Sequence, residues 1–213
     1  VGWSYDGQRE FFSKQDLEQV FSLEKINKAP GVFDYKKLDW FNGQYIRQKS
    51  DEELLALLLP YMTKAGFVSA PLSSDQESML LNLTKVVKER LKVLGDVVDL
   101  TRFLFEEPTY EDVNLFAAKG VELAVAVSAL DRAFEILKQG FEAGESHATT
   151  EQQLPDLAGE MGLKVNGVFM PLRVALTGST VSLPLFDSIG MLGQEVTCAR
   201  IENALALLKR EVR

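Results

Sequence analysis

The sequence is poor in the groups that usually carry chemistry. Its 213 residues include one cysteine, Cys198, and one histidine, His147. A lone thiol excludes an internal disulfide and a thiolate zinc site. Cys198 stands on an apolar helical stretch with no histidine near it in sequence, so it reads as a small core residue. His147 lies in a Ser- and Thr-rich stretch, where a solvated loop histidine is expected and a general base is the alternative. No phosphate-cradling glycine loop is present; Gly159, Gly162 and Gly167 lack a preceding strand and the residues that follow in such loops. Long apolar runs are also missing. The longest, from Leu54 to Leu59, is expected to stop at Pro60, far short of the roughly 20 residues that span a bilayer. There is no initiator Met, no basic segment leading into an apolar run and no transit-peptide composition. A soluble, reducing, cytoplasmic setting is the expectation, with no membrane partner. Neither catalytic residues nor metal ligands can be assigned.

A net charge of −8 counts against indiscriminate nucleic-acid binding, which needs clustered Lys and Arg. The charge is unevenly spread. Lys25, Lys28, Lys36, Lys37, Arg47 and Lys49 are met only by Asp34 and Asp39 in their own stretch, and Lys85, Lys88, Arg90 and Lys92 surround a single acid, Glu89. Acid gathers between Glu106 and Glu160, where only Lys119, Arg132 and Lys138 oppose it. Such a polar field can orient an RNA, although a charge run is also what a solvated face looks like. Acid clusters such as Glu106/Glu107 and Asp51–Glu53 are read as helix starts and solvation.

With 46% apolar and 25% charged residues the composition is globular. The pattern is helical from end to end. Capping boxes are expected at Ser13/Asp16, Ser50/Glu53, Ser74/Glu77 and Thr149/Gln152, where a hydroxyl and an acid or amide satisfy orphaned helix N–H groups. Helices over 51–65, 75–94 and 120–139 are expected to stop at Gly66, Gly95 and Gly140. Over 193–210, Val196, Ala199, Ala204, Leu205 and Leu208 form one apolar face. Pro171 argues for a helix start, not a strand, within Val165–Leu176. Ser69–Asp75 and Gly144–Thr150 read as loops. The expected architecture is all-α: a multi-helix bundle in two consecutive helical subdomains, with a boundary near Glu106-Glu107-Pro108-Thr109. The division reads 1–49, 50–109 and 110–213.

The most informative stretch is Phe33–Arg47. Asp34 can cap a helix, and Leu38, Phe41 and Tyr45 recur at helical spacing, which predicts a buried face. Trp40, Phe41 and Tyr45 are accordingly expected in the core. Lys37-Leu38, Trp40, Asn42 and Tyr45-Ile46 resemble the K-L-x-W-x-N-x-x-Y-I signature of bacterial-type glutamyl-tRNA synthetases. Met170–Gly178 resembles that family's P-x-R-x-A-L-T-G motif, and Ser182–Phe186 with Ile189–Gly193 is similar to its G-L-F and L-L-G segment. Leu183-Pro184 stands where the family commonly has Pro-Gly. Val1-Gly2-Trp3-Ser4 resembles the L-G-W-S segment that follows the family's ATP-binding loop. The resemblance runs from residue 1 to about 94 and again from about 163 to 207.

That resemblance implies the C-terminal anticodon-binding region of a class I synthetase without its N-terminal catalytic domain. The H-x-G-H and K-M-S-K signatures of that domain are indeed missing. The parent enzyme would ligate glutamate to tRNA(Glu) with ATP and Mg²⁺; the fragment itself would need no cofactor. By the same resemblance Arg173, Ser182, Leu183 and Leu185 approach the anticodon bases, and Arg90 matches a position associated with reading the last of them. Lys37, Arg47, Lys85 and Lys88 are weaker candidates for the RNA backbone or stem. The residues alone leave alternatives: Arg173 paired with an acid across the bundle, Arg90 on ordinary helix surface, and a protein-binding helical adaptor in place of an RNA reader.

Overall fold

The computed structural model describes residues 2–29, 31–144 and 147–212. Among these there is no strand. The chain divides into two compact units, residues 1–42 and 43–213.

The first unit holds α1 (Lys14–Val20), a 3-10 turn at Leu23–Lys25 and the start of α2 (Tyr35–Arg47). Ser13 and Asp16 form the expected capping box. None of the unit's described residues is buried. Its cohesion is aromatic: Trp3 meets Phe12 and Phe21 at centroid distances of 5.6 Å, and Phe11 meets Trp40 and Phe41 at 5.4 and 4.8 Å. Leu38 and Trp40 are therefore exposed, against the expected buried face. Helical spacing shows that residues share a stripe; it does not supply the partner surface.

The second unit takes in Gly43 and Ile46, the buried residues of α2, while Tyr45 beside them is exposed. Next come α3 (Asp51–Lys64), α4 (Ser74–Val87) and α5 (Asp96–Thr101). They enclose an apolar cluster that includes Leu54, Leu58, Met62, Leu80, Val87, Leu91 and Phe103. Ser50/Glu53 caps α3 as expected. Helix α3 runs through Pro60: the proline is exposed, and so is Ala56, whose carbonyl loses its partner and faces water. The box on α4 is Ser73/Gln76, one residue earlier than expected. Gly66 stops α3 with φ +80°, but α4 ends at Val87, and Gly95, with φ −64°, opens α5.

Four further helices enclose a second cluster: α6 (Leu123–Glu142), α7 (His147–Glu160), α8 (Asn166–Thr177) and α9 (Leu185–Glu211). Phe116, Leu130, Phe134, Leu154, Leu172, Leu176, Ile189 and Ile201 lie at its centre. Gly140 is inside α6. A Cβ there would sit 2.6 Å from Thr150 Oγ1, so this glycine permits close approach of α7. The stop falls two residues past it, after Glu142. Residues 147–150, read as loop, are the first turn of α7, which places Thr149 inside a helix. Pro171 is likewise within α8, not at its start. In α9 the backbone breaks at Gly193 (φ +76°, ψ 169°), and Thr197, Arg200, Ile201, Ala204 and Leu208 face inward. Val196 and Ala199, expected on that face, are exposed.

Candidate nucleic-acid interface

Helix α8 owes its position to how its C-terminus is finished. The last carbonyls of a helix have no partner inside it. Here four consecutive carbonyls of the last turn and a half find one outside the regular ladder or at its cap. Arg173 O accepts from Thr177 Oγ1 (2.8 Å), Val174 O from Gly178 N (2.8 Å), Ala175 O from Tyr110 Oη (2.7 Å), and Leu176 O from Arg200 Nη1 (2.8 Å). Gly178 is left-handed (φ +70°), and a Cβ on it would lie 2.9 Å from Thr109 O, so the turn accepts no side chain. Burial pushes the Tyr110 hydroxyl up to about 12.

Arg200 is the residue the sequence reading missed. Its side chain is 5% exposed, and its guanidinium also donates to Phe103 O (2.8 Å) and Glu106 O (3.1 Å). Its Nε lies 3.4 Å from Glu107 Oε2, within ion-pair distance but without hydrogen-bond alignment. A cation thus ties the end of the first cluster to the end of α8. The available signal was an arginine inside an otherwise apolar helical stripe with Thr197, Ile201 and Ala204.

Arg173 projects from α8 half-buried. Its Nη1 donates to Ser182 Oγ (2.7 Å) and to Leu183 O (2.8 Å). Among the described residues it forms no ion pair with a carboxylate, unlike the alternative of an acid across the bundle. Desolvation lowers its pKa, and the charge of Arg90 adds to that effect. Arg90 is exposed in the turn that follows α4, its N–H bonded to Val87 O at 2.8 Å. Arg90, distant in sequence, thus adds a like charge to the surroundings of Arg173.

The remaining candidates separate. Ser182, Leu183 and Leu185 are 3%, 0% and 4% exposed. Leu183 packs in the first cluster and Leu185 in the second. Their side chains point into the protein, and Thr180 and Val181 are the exposed residues of that loop. Lys88 is mostly buried and bonds to Lys49 O and Asp51 Oδ1 (3.2 Å), so its charge is committed to the α2–α3 corner. Arg47 folds back over its own helix, with both terminal nitrogens 3.2 Å from where a Gly43 Cβ would be. Lys85 is exposed, with one long contact of 3.4 Å to Asn82 Oδ1. In the other unit Lys37 pairs with Glu10 and lies 5.8 Å from the Phe41 ring centre.

Other chemistry is weak. Burial raises the Cys198 thiol, with Glu202 adding to it, the opposite of an activated nucleophile. His147 opens α7, but its side chain lies outside the described residues. Among the described residues no group of three potential metal ligands occurs, and no helix is long and apolar enough to cross a membrane.

Comparison with known proteins gives one consistent picture. The chain is 42% identical over 209 residues to the glutamate–tRNA ligase of Borreliella burgdorferi, covering 98% of this chain and 42% of that protein. It is 36% identical over 225 residues to the Treponema denticola glutamate–tRNA ligase, covering 97% and 44%. The crystal structure of a glutamate tRNA ligase from Elizabethkingia meningosepticum in complex with its amino acid superposes with a TM-score of 0.66. Identity to it is 26%, with 97% of this chain and 39% of that one covered. The chain thus spans about two fifths of the length of these relatives. Residues 53–205 match the family described as the anticodon binding domain, and to that family the chain belongs.

Proposed function

We propose that this chain reads the anticodon of tRNA(Glu) as the C-terminal part of a cytoplasmic glutamate–tRNA ligase. In that enzyme the ATP- and Mg²⁺-dependent ligation occurs on a catalytic domain outside this chain. The fragment needs no cofactor and has no activity of its own. The division into the end of a stem-contact region (1–49) and two anticodon-binding subdomains (50–109 and 110–213) goes with this reading. Two separate apolar clusters support it.

One observation carries the proposal: Arg173 is a half-buried cation held by the neutral acceptors Ser182 Oγ and Leu183 O, with no ion-paired carboxylate among the described residues. Half-burial of a guanidinium without a counter-charge costs free energy, and the like charge of Arg90 adds to that cost. Neutral acceptors hold one edge of Arg173 and leave the rest of the fork for a ligand. An acceptor-rich, anionic partner relieves the arrangement. An RNA loop with splayed bases is such a partner, since its pairing edges accept hydrogen bonds and its phosphates supply charge. Exposed Lys85 is a candidate for the backbone, whereas Lys37 and Lys88 are ion-paired within the protein and Arg47 folds back over its own helix, so these contribute less. With a net charge of −8, binding must be local and not a general attraction.

The test is affinity for tRNA(Glu) and for the same tRNA with altered anticodons, across a salt series. A preference for the native anticodon that persists while absolute affinity falls with salt is expected. Equal affinity for all anticodons at every salt concentration overturns the proposal. Failure to bind any of them would leave the adaptor alternative in its place.

A further inference from the structure

We infer that Ser182 and Leu183 are positioning residues: they do not touch the RNA but orient the Arg173 guanidinium that does. The inference rests on the reading of Arg173 as an RNA contact. The loop that follows α8 is built for this purpose in three places. Gly178 turns the chain where no Cβ fits, against Thr109 O. Thr177 Oγ1 accepts from the Ser179 N–H (3.2 Å) and closes the turn. Leu183 then enters the first apolar cluster, and two residues later Leu185 enters the second. The backbone between two buried anchors has little freedom, so the Leu183 carbonyl is fixed where it meets Arg173 Nη1.

Ser182 supplies the second acceptor. Its Oγ accepts from Arg173 Nη1 at 2.7 Å and donates its own proton to Leu183 O at 3.0 Å. Nη1 is thereby held by two acceptors at once, which fixes the plane of the guanidinium. Without the hydroxyl the side chain keeps one acceptor and regains rotation about its last torsions. An arginine fork discriminates bases by geometry, so freedom of the fork costs selectivity before it costs attraction. The near-complete burial of Ser182 and Leu183 separates this role from contact, because neither side chain has a surface that a base reaches.

The experiment combines Ser182→Ala, Arg173→Ala and the double variant of this chain. Two readouts are taken: anticodon preference, and the side-chain nitrogen NMR signals of Arg173 in the free protein. We expect resolved, slowly averaging Nη signals in the parent chain and averaged ones in Ser182→Ala, with little change in melting temperature. Preference should fall about 3- to 10-fold, less than the full value of a charge-assisted hydrogen bond, because Arg173 keeps the Leu183 carbonyl as an acceptor. Ser182→Ala should add nothing on the Arg173→Ala background, since it acts through that side chain. An equal loss on that background overturns the inference, because Ser182 would then act without Arg173. Unchanged Nη signals in Ser182→Ala overturn it too. A parent chain that shows no anticodon preference, yet loses the resolved signals on Ser182→Ala, sinks the RNA reading and leaves the positioning role standing.

Discussion

Replacing Arg200 by methionine, a chain of similar length without donors, tests whether the guanidinium staples the second unit. The substitution strands three carbonyls, those of Phe103, Leu176 and Glu106. A hydrogen bond to a charged group is worth about 1.5–3 kcal/mol, but three on one side chain do not add in full. Against the loss stands relief from burying a cation that is 5% exposed. Stranding a buried acceptor costs about 1–3 kcal/mol, and for three that do not add in full we expect about 3–5 kcal/mol. At about 2–4 °C per kcal/mol for a chain of this size, melting should fall by roughly 6–20 °C. Glu107→Ala provides the control. Its carboxylate is 79% exposed and poorly aligned, so its removal should cost no more than about 1 kcal/mol. Calorimetry and urea denaturation of both variants give the comparison. If Glu107→Ala costs as much as Arg200→Met, the ion pair holds the site and the carbonyl staple is wrong.

Three other outcomes follow from the geometry of α8. Arg173→Ala should remove about 1–3 kcal/mol of anticodon-dependent binding with melting nearly unchanged; a sharp fall in melting with preference intact would make the residue structural. Gly178→Ala should destabilise the chain by at least about 1 kcal/mol, because it combines a left-handed backbone with a Cβ facing Thr109 O, and urea midpoints will read it. Tyr110 should ionise near pH 12 in an ultraviolet absorbance titration. Its folded value is raised, so the stability linked to it is complete below about pH 10 and is lost as pH rises towards 12; ionisation at about 10 would mean its hydroxyl is not buried against α8.

Local rules were legible where they are local. Ser13/Asp16 and Ser50/Glu53 cap their helices because a capping box needs only an i, i+3 pair. The α4 box moved by one residue because Ser73 and Ser74 both offer a hydroxyl. Glycine was misread where packing, not backbone sign, explains it: Gly140 serves the approach of Thr150, whereas Gly66 ends a helix as expected. At the site, the family resemblance singled out Arg173 and Arg90, but not the inward direction of Ser182, Leu183 and Leu185. Leu183 enters the cluster around Leu54–Leu91, more than 90 residues away in sequence, and Leu185 enters the other. Arg200 was invisible for the same reason: its acceptors are backbone carbonyls, which carry no residue signature.

The most direct measurement of anticodon reading crosses Arg90→Gln with a change of the third anticodon base from C to G, at fixed salt. Cytosine presents acceptors on its pairing edge, whereas guanine is larger and presents donors there. The four affinities give a coupling energy free of any general effect of charge. We expect Arg90→Gln to weaken binding of the C anticodon more than that of the G anticodon, by about 1–3 kcal/mol. Equal losses on the two anticodons would reduce Arg90 to a phosphate contact, and no loss on either would contradict anticodon reading by this pair of arginines.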